Sequence, residues 1–141
     1  DGAANIDADY SLFEFGAARG AYSGKFSHEV LGGDGHYAFQ TPFATLHAFN
    51  GWADKFLTTP VNGLVDDYLT VAGPVGKLQW VASIHQYGAD NGDADYGTEF
   101  DASLSYAFKQ RFTALAKIAH YDADEFARNT DKLWLSLEYK Y

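Results

Sequence analysis

The 141-residue chain contains no cysteine and no methionine. The absence of cysteine excludes disulfide bridges and every metal or catalytic site that requires a thiolate. Because an initiating methionine is also missing, we expect the chain to begin after processing, after truncation, or where its order begins. A mature exported protein would likewise show no signal peptide.

Long apolar runs and positive charge are also scarce. No stretch approaches the roughly 20 apolar residues that a membrane-spanning helix needs, but a barrel strand needs only about 9–11 residues with one apolar face. The 10 Lys and Arg residues face 19 Asp and Glu residues, which gives a net charge of -9. This acidity argues against nucleic acid as a partner.

What the chain does have is aromatic residues, at 17%, and alternation of apolar and polar side chains. In the last segment, residues 131–141, Leu133, Leu135 and Leu137 share one side, and Lys132 and Ser136 share the other. Alternation with a period of two predicts β-strands. The same pattern recurs at residues 21–31, 77–87, 100–108 and, less regularly, 111–121, and more weakly at 8–16 and 66–73.

The connections between these segments alternate in length. Tight turns are expected near residues 19–20, 73–76 and 109–110, and longer loops at 32–64, 88–97 and 122–130. Short turns at one end and long loops at the other are typical of transmembrane barrels, as are tyrosines near strand ends. We therefore predict an all-β fold: an antiparallel up-and-down transmembrane β-barrel. Residues 1–141 would form a single portion with about seven or eight strands, and since single-chain bacterial barrels have even strand numbers, a larger barrel is expected.

The long loop, residues 32–64, has a different periodicity. Phe49, Trp52 and Phe56 are spaced by three and four residues, which is the period of a helix face. We predict that this loop folds inward as a pore constriction, broken into short helical pieces at Asn50–Gly51 and Pro60. The three aromatic residues would fix it to the wall, and the residues expected to face the lumen are His47, Asp54 and Lys55. The alternative is an ordinary packed extracellular loop.

Several segments together resemble a known family. The stretch LGGDGHYAFQTPFATLHAFNGWADKFLTTPVNGL, followed by DASLSYAF, AKIAHYDADEF and TDKLWLSLEY, is similar to the C-terminal portion of bacterial outer-membrane porins of the alginate-export family. The resemblance begins near Asp9 and is most specific at residues 39–64. The aromatic terminus, Tyr141, resembles the signal read by the outer-membrane assembly machinery.

The resemblance implies a channel for passive passage of polar or anionic solutes in the outer membrane of a Gram-negative bacterium. Its partners would be outer-membrane lipid and the remaining strands of a larger barrel, or copies of the chain itself. A released fragment would instead be extracellular.

The polar sides of the strands supply the candidate pore-lining residues. These are Glu14, Lys25, Glu29, Arg111, Lys117, Glu138 and Lys140. Their charges are mixed, whereas a conduit for a polyanion should carry an excess of Lys and Arg. The family resemblance therefore does not by itself assign a substrate.

Other chemistry is weakly represented. Asp90, Asp93 and Asp95 bring together oxygen ligands of the kind that calcium prefers, but they lack the spacing of an EF-hand loop. No serine lies in a nucleophile elbow, and no histidine pair has helical metal-ligand spacing. We predict no enzymatic activity and no cofactor other than this weak calcium hypothesis.

Two rival interpretations stay open. In a soluble ligand-binding β-barrel or sandwich, the face carrying Leu133, Leu135 and Leu137 would point inward, whereas in a membrane barrel it would meet lipid. In the second rival, a free barrel fragment would self-assemble through unpaired strand edges into a β-rich, fibrillar structure.

Overall fold

The computed structural model describes residues 8–41, 50–109 and 111–141. Two of the predicted loop residues, His47 and Phe49, lie outside these ranges. The described residues form a seven-stranded sheet in which every strand pairs antiparallel with the next strand along the chain. The strands are β1 (Tyr10–Arg19), β2 (Tyr22–Leu31), β3 (Leu64–Val75), β4 (Leu78–Gly88), β5 (Asp95–Phe108), β6 (Phe112–Ala123) and β7 (Thr130–Tyr139). The predicted all-β, up-and-down order is confirmed.

The sheet has a turn end and a loop end. At the turn end, tight connections join β1 to β2, β3 to β4 and β5 to β6. Gly20 and Gly76 have φ values of 63° and 62°, which tight two-residue hairpin turns require and glycine adopts without strain. At the loop end lie the longer connections, residues 32–63, 89–94 and 124–129.

Alternation along each strand gives the sheet two faces of opposite character. One face, called here the apolar face, is exposed over all seven strands. Its large side chains include Phe13, Phe15, Phe26, Leu69, Ile84, Phe100, Leu104, Ile118, Leu133, Leu135 and Leu137. The opposite face, called the polar face, carries Glu14, Lys25, Glu29, Asp66, His85, Glu99, Asp101, Lys117 and Lys132.

The buried core lies on the polar face near the loop end. Leu31, Leu64, Tyr87 and Tyr121 are fully buried there beneath the connections. Phe56 packs among a ring cluster, with centroid distances of 4.5 Å to Tyr87 and 5.3 Å to Phe126. The described loop residues therefore cover the polar face near the loop end and leave the apolar face bare.

One sequence expectation needs correction. No described residue is helical, so the three-and-four spacing that includes Trp52 and Phe56 does not reflect a helix. The reason is the backbone: Asn50, Gly51 and Asp54 have φ values of 51°, 90° and 59°, in the left-handed region that an α-helix cannot continue through. Within the described part of residues 32–64, no eighth strand forms; Gly33 and Ala38 make one isolated bridge.

Closure of the sheet is not observed in the part of the chain that the structure describes. There, β1 pairs with β2 alone and β7 pairs with β6 alone. Among the same residues, no helix is long and apolar enough to cross a membrane.

Candidate functional site: a loop segment on the polar face

Residues 50–56, called here the inward segment, lie directly on the polar face of the sheet. The backbone N–H of Trp52 donates to Asp101 Oδ2 at 3.1 Å, and the N–H of Ala53 donates to Glu99 Oε1 at 2.6 Å. Asn50 Nδ2 donates to Glu29 Oε2 at 3.0 Å and to Asp66 Oδ2 at 3.2 Å. The segment is therefore held by hydrogen bonds to three strands, β2, β3 and β5.

Gly51 allows this close approach. A Cβ atom at this position would lie 2.6 Å from Glu99 Oε2 and would overlap the hydroxyl of Tyr87. Its φ of 90° is also one that residues with a side chain rarely adopt. Both the conformation and the contact thus require glycine.

Beneath the segment, four carboxylates form what we call the acid row: Glu29, Asp66, Glu99 and Asp101. Their exposed fractions are 6%, 0%, 1% and 1%. His85 lies among them, with Nδ1 2.9 Å from Asp66 Oδ1 and Nε2 3.9 Å from Asp101 Oδ2. Buried carboxylates are costly unless they accept hydrogen bonds, so the donors of the inward segment stabilise the row and the row fixes the segment.

Three buried polar atoms at this place have no hydrogen-bond partner among the residues that the structure describes. They are Glu99 Oε2, Asp101 Oδ1 and the hydroxyl of Tyr87. The contacts of Gly51 show that the Tyr87 hydroxyl and Glu99 Oε2 both approach the same point below the segment. Such atoms are rare in folded proteins and often mark a site that takes a water or an ion.

Lysines hold the other flank of the segment. Lys117 Nζ lies 3.9 Å from the centroid of the Trp52 ring, a cation–π contact. Lys132 Nζ lies 2.6 Å from Asp54 Oδ2, and Lys55 Nζ donates to Thr130 Oγ1 at 2.6 Å. Burial lowers the pKa of Lys55, and the nearby charges of Arg128 and Lys132 lower it further.

A cavity of about 320 Å³ opens beside the inward segment. Its wall combines aromatic rings with charged and polar groups, among them Tyr10, Lys25, Glu29, Trp52, Tyr68 and His85. The Tyr10 hydroxyl donates to Glu29 Oε1 at 2.9 Å. Glu29 is therefore the member of the acid row that also faces this space.

The structure brings together some of the sequence-predicted residues. Glu29, Trp52, Asp54, Lys55, Phe56 and Lys117 all lie at or against the inward segment. Phe56 and Trp52 contact the sheet. Asp54 and Lys55, which were predicted to face the lumen, contact Lys132 and Thr130 on the polar face of β7. Glu14 and Lys25 form an ion pair on neighbouring strands, and Glu14 also accepts from Ser27 at 3.0 Å.

The remaining predicted pore-lining residues lie at the turn end, away from the segment. Arg111 follows β5 in the turn and donates to the Tyr139 hydroxyl at 3.3 Å. Glu138 and Lys140 are exposed and 3.7 Å apart. They are not part of the site at the inward segment.

Sequence reasoning did not select Asp66, Glu99 or His85 for this site. The alternation along each strand could have indicated them, because each falls on the polar side of its strand. Alternation does not reveal burial, however, since only the loop that covers these residues removes them from water.

The calcium hypothesis gains no support from the described residues. Asp90 Oδ2 accepts from the Gly33 N–H at 3.1 Å, and Asp95 Oδ1 accepts from Gly97 N–H at 2.8 Å and Gln86 Nε2 at 3.0 Å. These carboxylates stabilise the loops. Across residues 8–41, 50–109 and 111–141, no group of three or more His, Asp or Glu side chains is arranged to hold a metal ion.

Comparison of the chain with protein-family models, curated proteins and solved structures finds no match.

Proposed function

We propose that the protein is a non-enzymatic channel of the outer membrane, in which this sheet forms part of a β-barrel wall. The inward segment narrows the lumen, and polar solutes cross passively. The observation that carries the proposal is that the apolar side chains are exposed while polar side chains are covered, the reverse of a water-soluble protein. The apolar face is exposed across seven strands, and the chain's own loop covers the polar face near the loop end.

The dimensions and borders of the apolar face support this function. Along β5, the apolar side from Phe100 to Phe108 extends about 27 Å, and a strand tilt of about 40° gives a height of about 21 Å, near the roughly 25 Å belt of outer-membrane barrels. At the turn end, aromatic rings form a ladder, with centroids 5.4 Å apart between Phe108 and Phe112 and 5.0 Å apart between Phe112 and Tyr139. Such rings suit a membrane–water interface.

Polar pairs mark the other border. On the apolar face near the loop end, His28 Nδ1 lies 2.7 Å from Asp67 Oδ1, and His120 Nδ1 lies 2.6 Å from Asp131 Oδ1. Charged side chains are costly on the lipid face at mid-depth and much less so near the interface. The position of these two pairs agrees with an interface at the loop end.

The soluble ligand-binding barrel is less well supported. It needs the leucine side of β7 in a core, yet Leu135 is 75% exposed and the described loops pack on the opposite face. The resemblance to alginate-export porins is part of our proposal and would extend the solutes to anions. Outer-membrane lipid and further strands are the partners that this function implies.

The test is expression of the protein in a Gram-negative host, followed by fractionation and reconstitution in planar lipid bilayers. We expect the protein in the outer-membrane fraction and stepwise conductance after reconstitution. Trp52→Ala should raise the conductance per step, because it removes a ring of the inward segment from the lumen. Trp80→Ala, the same substitution on the apolar face, should leave the step size unchanged. Recovery as a soluble monomer without conductance would contradict the proposal.

A further inference from the structure

Around the inward segment, the positive charges have charged or aromatic partners, whereas the carboxylates of the acid row have no Lys or Arg partner among the described residues. The strand lysines near the segment each have a partner: Lys25 pairs with Glu14, Lys132 pairs with Asp54, and Lys117 lies over the ring of Trp52. In contrast, no Lys or Arg of the described residues forms an ion pair with any member of the acid row. The row has neutral donors and His85 instead.

The orphan atoms described above add a second observation. Glu99 Oε2 and Asp101 Oδ1 are carboxylate oxygens on side chains that are 99% buried by area, and they accept no hydrogen bond from the described residues. An oxygen acceptor of this kind is stabilised by a cation or another donor and destabilised by an anion. The cavity of about 320 Å³ places Glu29 of the same row beside the path of a solute.

We propose that the acid row makes the lumen beside the inward segment selective for small cations over anions. This inference rests on the proposed channel and narrows its solutes to cations, in contrast to the anionic solutes that the resemblance to alginate-export porins implies. Negative charge on carboxylates along walls of low dielectric focuses a negative potential into the space between them, which concentrates cations there and disfavours anions. In this proposal the row attracts passing cations through its charge.

The experiment is the reversal potential of the reconstituted protein across a KCl gradient at low ionic strength, where screening is weak. We expect a several-fold preference for K⁺ over Cl⁻ in the unmodified protein. This measurement needs no variant, so it does not depend on whether a substitution at a buried position folds. A preference for Cl⁻, or equal permeability, overturns the inference while leaving the channel intact. Absence of any conductance would instead overturn the proposed function.

Three variants locate the effect, and two of them, Asp66→Asn and Asp67→Asn, form a matched pair. Glu29→Gln and Asp66→Asn each remove one negative charge from the row and should reduce the K⁺ preference. Asp67→Asn removes the same charge one residue further along β3, on the opposite face of the sheet, and should leave the preference unchanged. An equal loss of preference in Asp66→Asn and Asp67→Asn would show that the row is not its source.

Discussion

Gly51 combines a left-handed backbone with a close approach to Glu99 and Tyr87. We expect Gly51→Ala to lower the free energy of unfolding by more than the roughly 1 kcal/mol that backbone strain costs, because the new methyl group must also displace Glu99 or Tyr87. The measurement is denaturant unfolding of the protein in lipid or detergent.

Gly20→Ala is the control for this prediction. Gly20 has a φ of 63°, but a Cβ atom there would meet no other atom within 4 Å. The substitution should therefore cost the backbone strain alone. Equal losses in the two variants would mean that the segment does not pack on the acid row as described.

The contact between Lys117 and Trp52 joins the sheet to the inward segment through a charge and a ring. Lys117→Met keeps the length of the side chain and removes the charge, so it should lower the free energy of unfolding by about 1 kcal/mol and change the fluorescence of Trp52. Lys140→Met, at an exposed position at the turn end, should change neither quantity. An unchanged Lys117→Met protein would count against the cation–π contact.

At the scale of the element, β7 shows how one strand meets two environments. Leu135 and Ser136 are neighbours and both are exposed, but they project from the apolar and the polar face. In a membrane barrel, Leu135→Arg should cost about 2–4 kcal/mol because it places a charge against lipid, whereas Ser136→Arg should cost far less because it faces the lumen.

The two arginine variants distinguish the membrane channel from the soluble rival. The assay is the free energy of unfolding from lipid vesicles, or the yield of folded protein in the outer membrane. A larger cost for Ser136→Arg than for Leu135→Arg would mean that the leucine side faces water and that the proposed orientation is wrong.

At the scale of the whole molecule, the described sheet has two edges, β1 and β7, and they run in the same direction because the strands alternate. Antiparallel closure of such a sheet requires an odd number of further strands, which agrees with the even strand numbers of bacterial barrels. We propose that those strands come from a larger barrel.

The same edges and the bare apolar face determine how the 141-residue chain behaves without lipid. Unpaired strand edges are templates for pairing with other chains. We therefore expect this chain to form oligomers or β-rich assemblies in detergent-free buffer, measured by size-exclusion chromatography with light scattering. Addition of detergent should reduce this association. A single sharp monomeric peak in detergent-free buffer would contradict both the membrane proposal and self-assembly.

The sequence by itself determined the strands, their up-and-down order and the sides of most of their residues. Alternation and turn chemistry are local properties, so the faces of β7 and the connection lengths could be deduced without coordinates. The helix-like spacing of Trp52 and Phe56 gave a wrong prediction of short helical pieces. Left-handed backbone conformations at Asn50, Gly51 and Asp54 prevent a helix whatever the hydrophobic pattern.

Only the tertiary structure decided which polar residues are buried together. Glu29, Asp66, Glu99 and Asp101 come from three strands and look like ordinary wall residues in sequence. They become one acid row because the inward segment lies over them and supplies the hydrogen bonds that their burial requires. Contacts of this kind join residues far apart in the chain, so they cannot be deduced from a local sequence pattern.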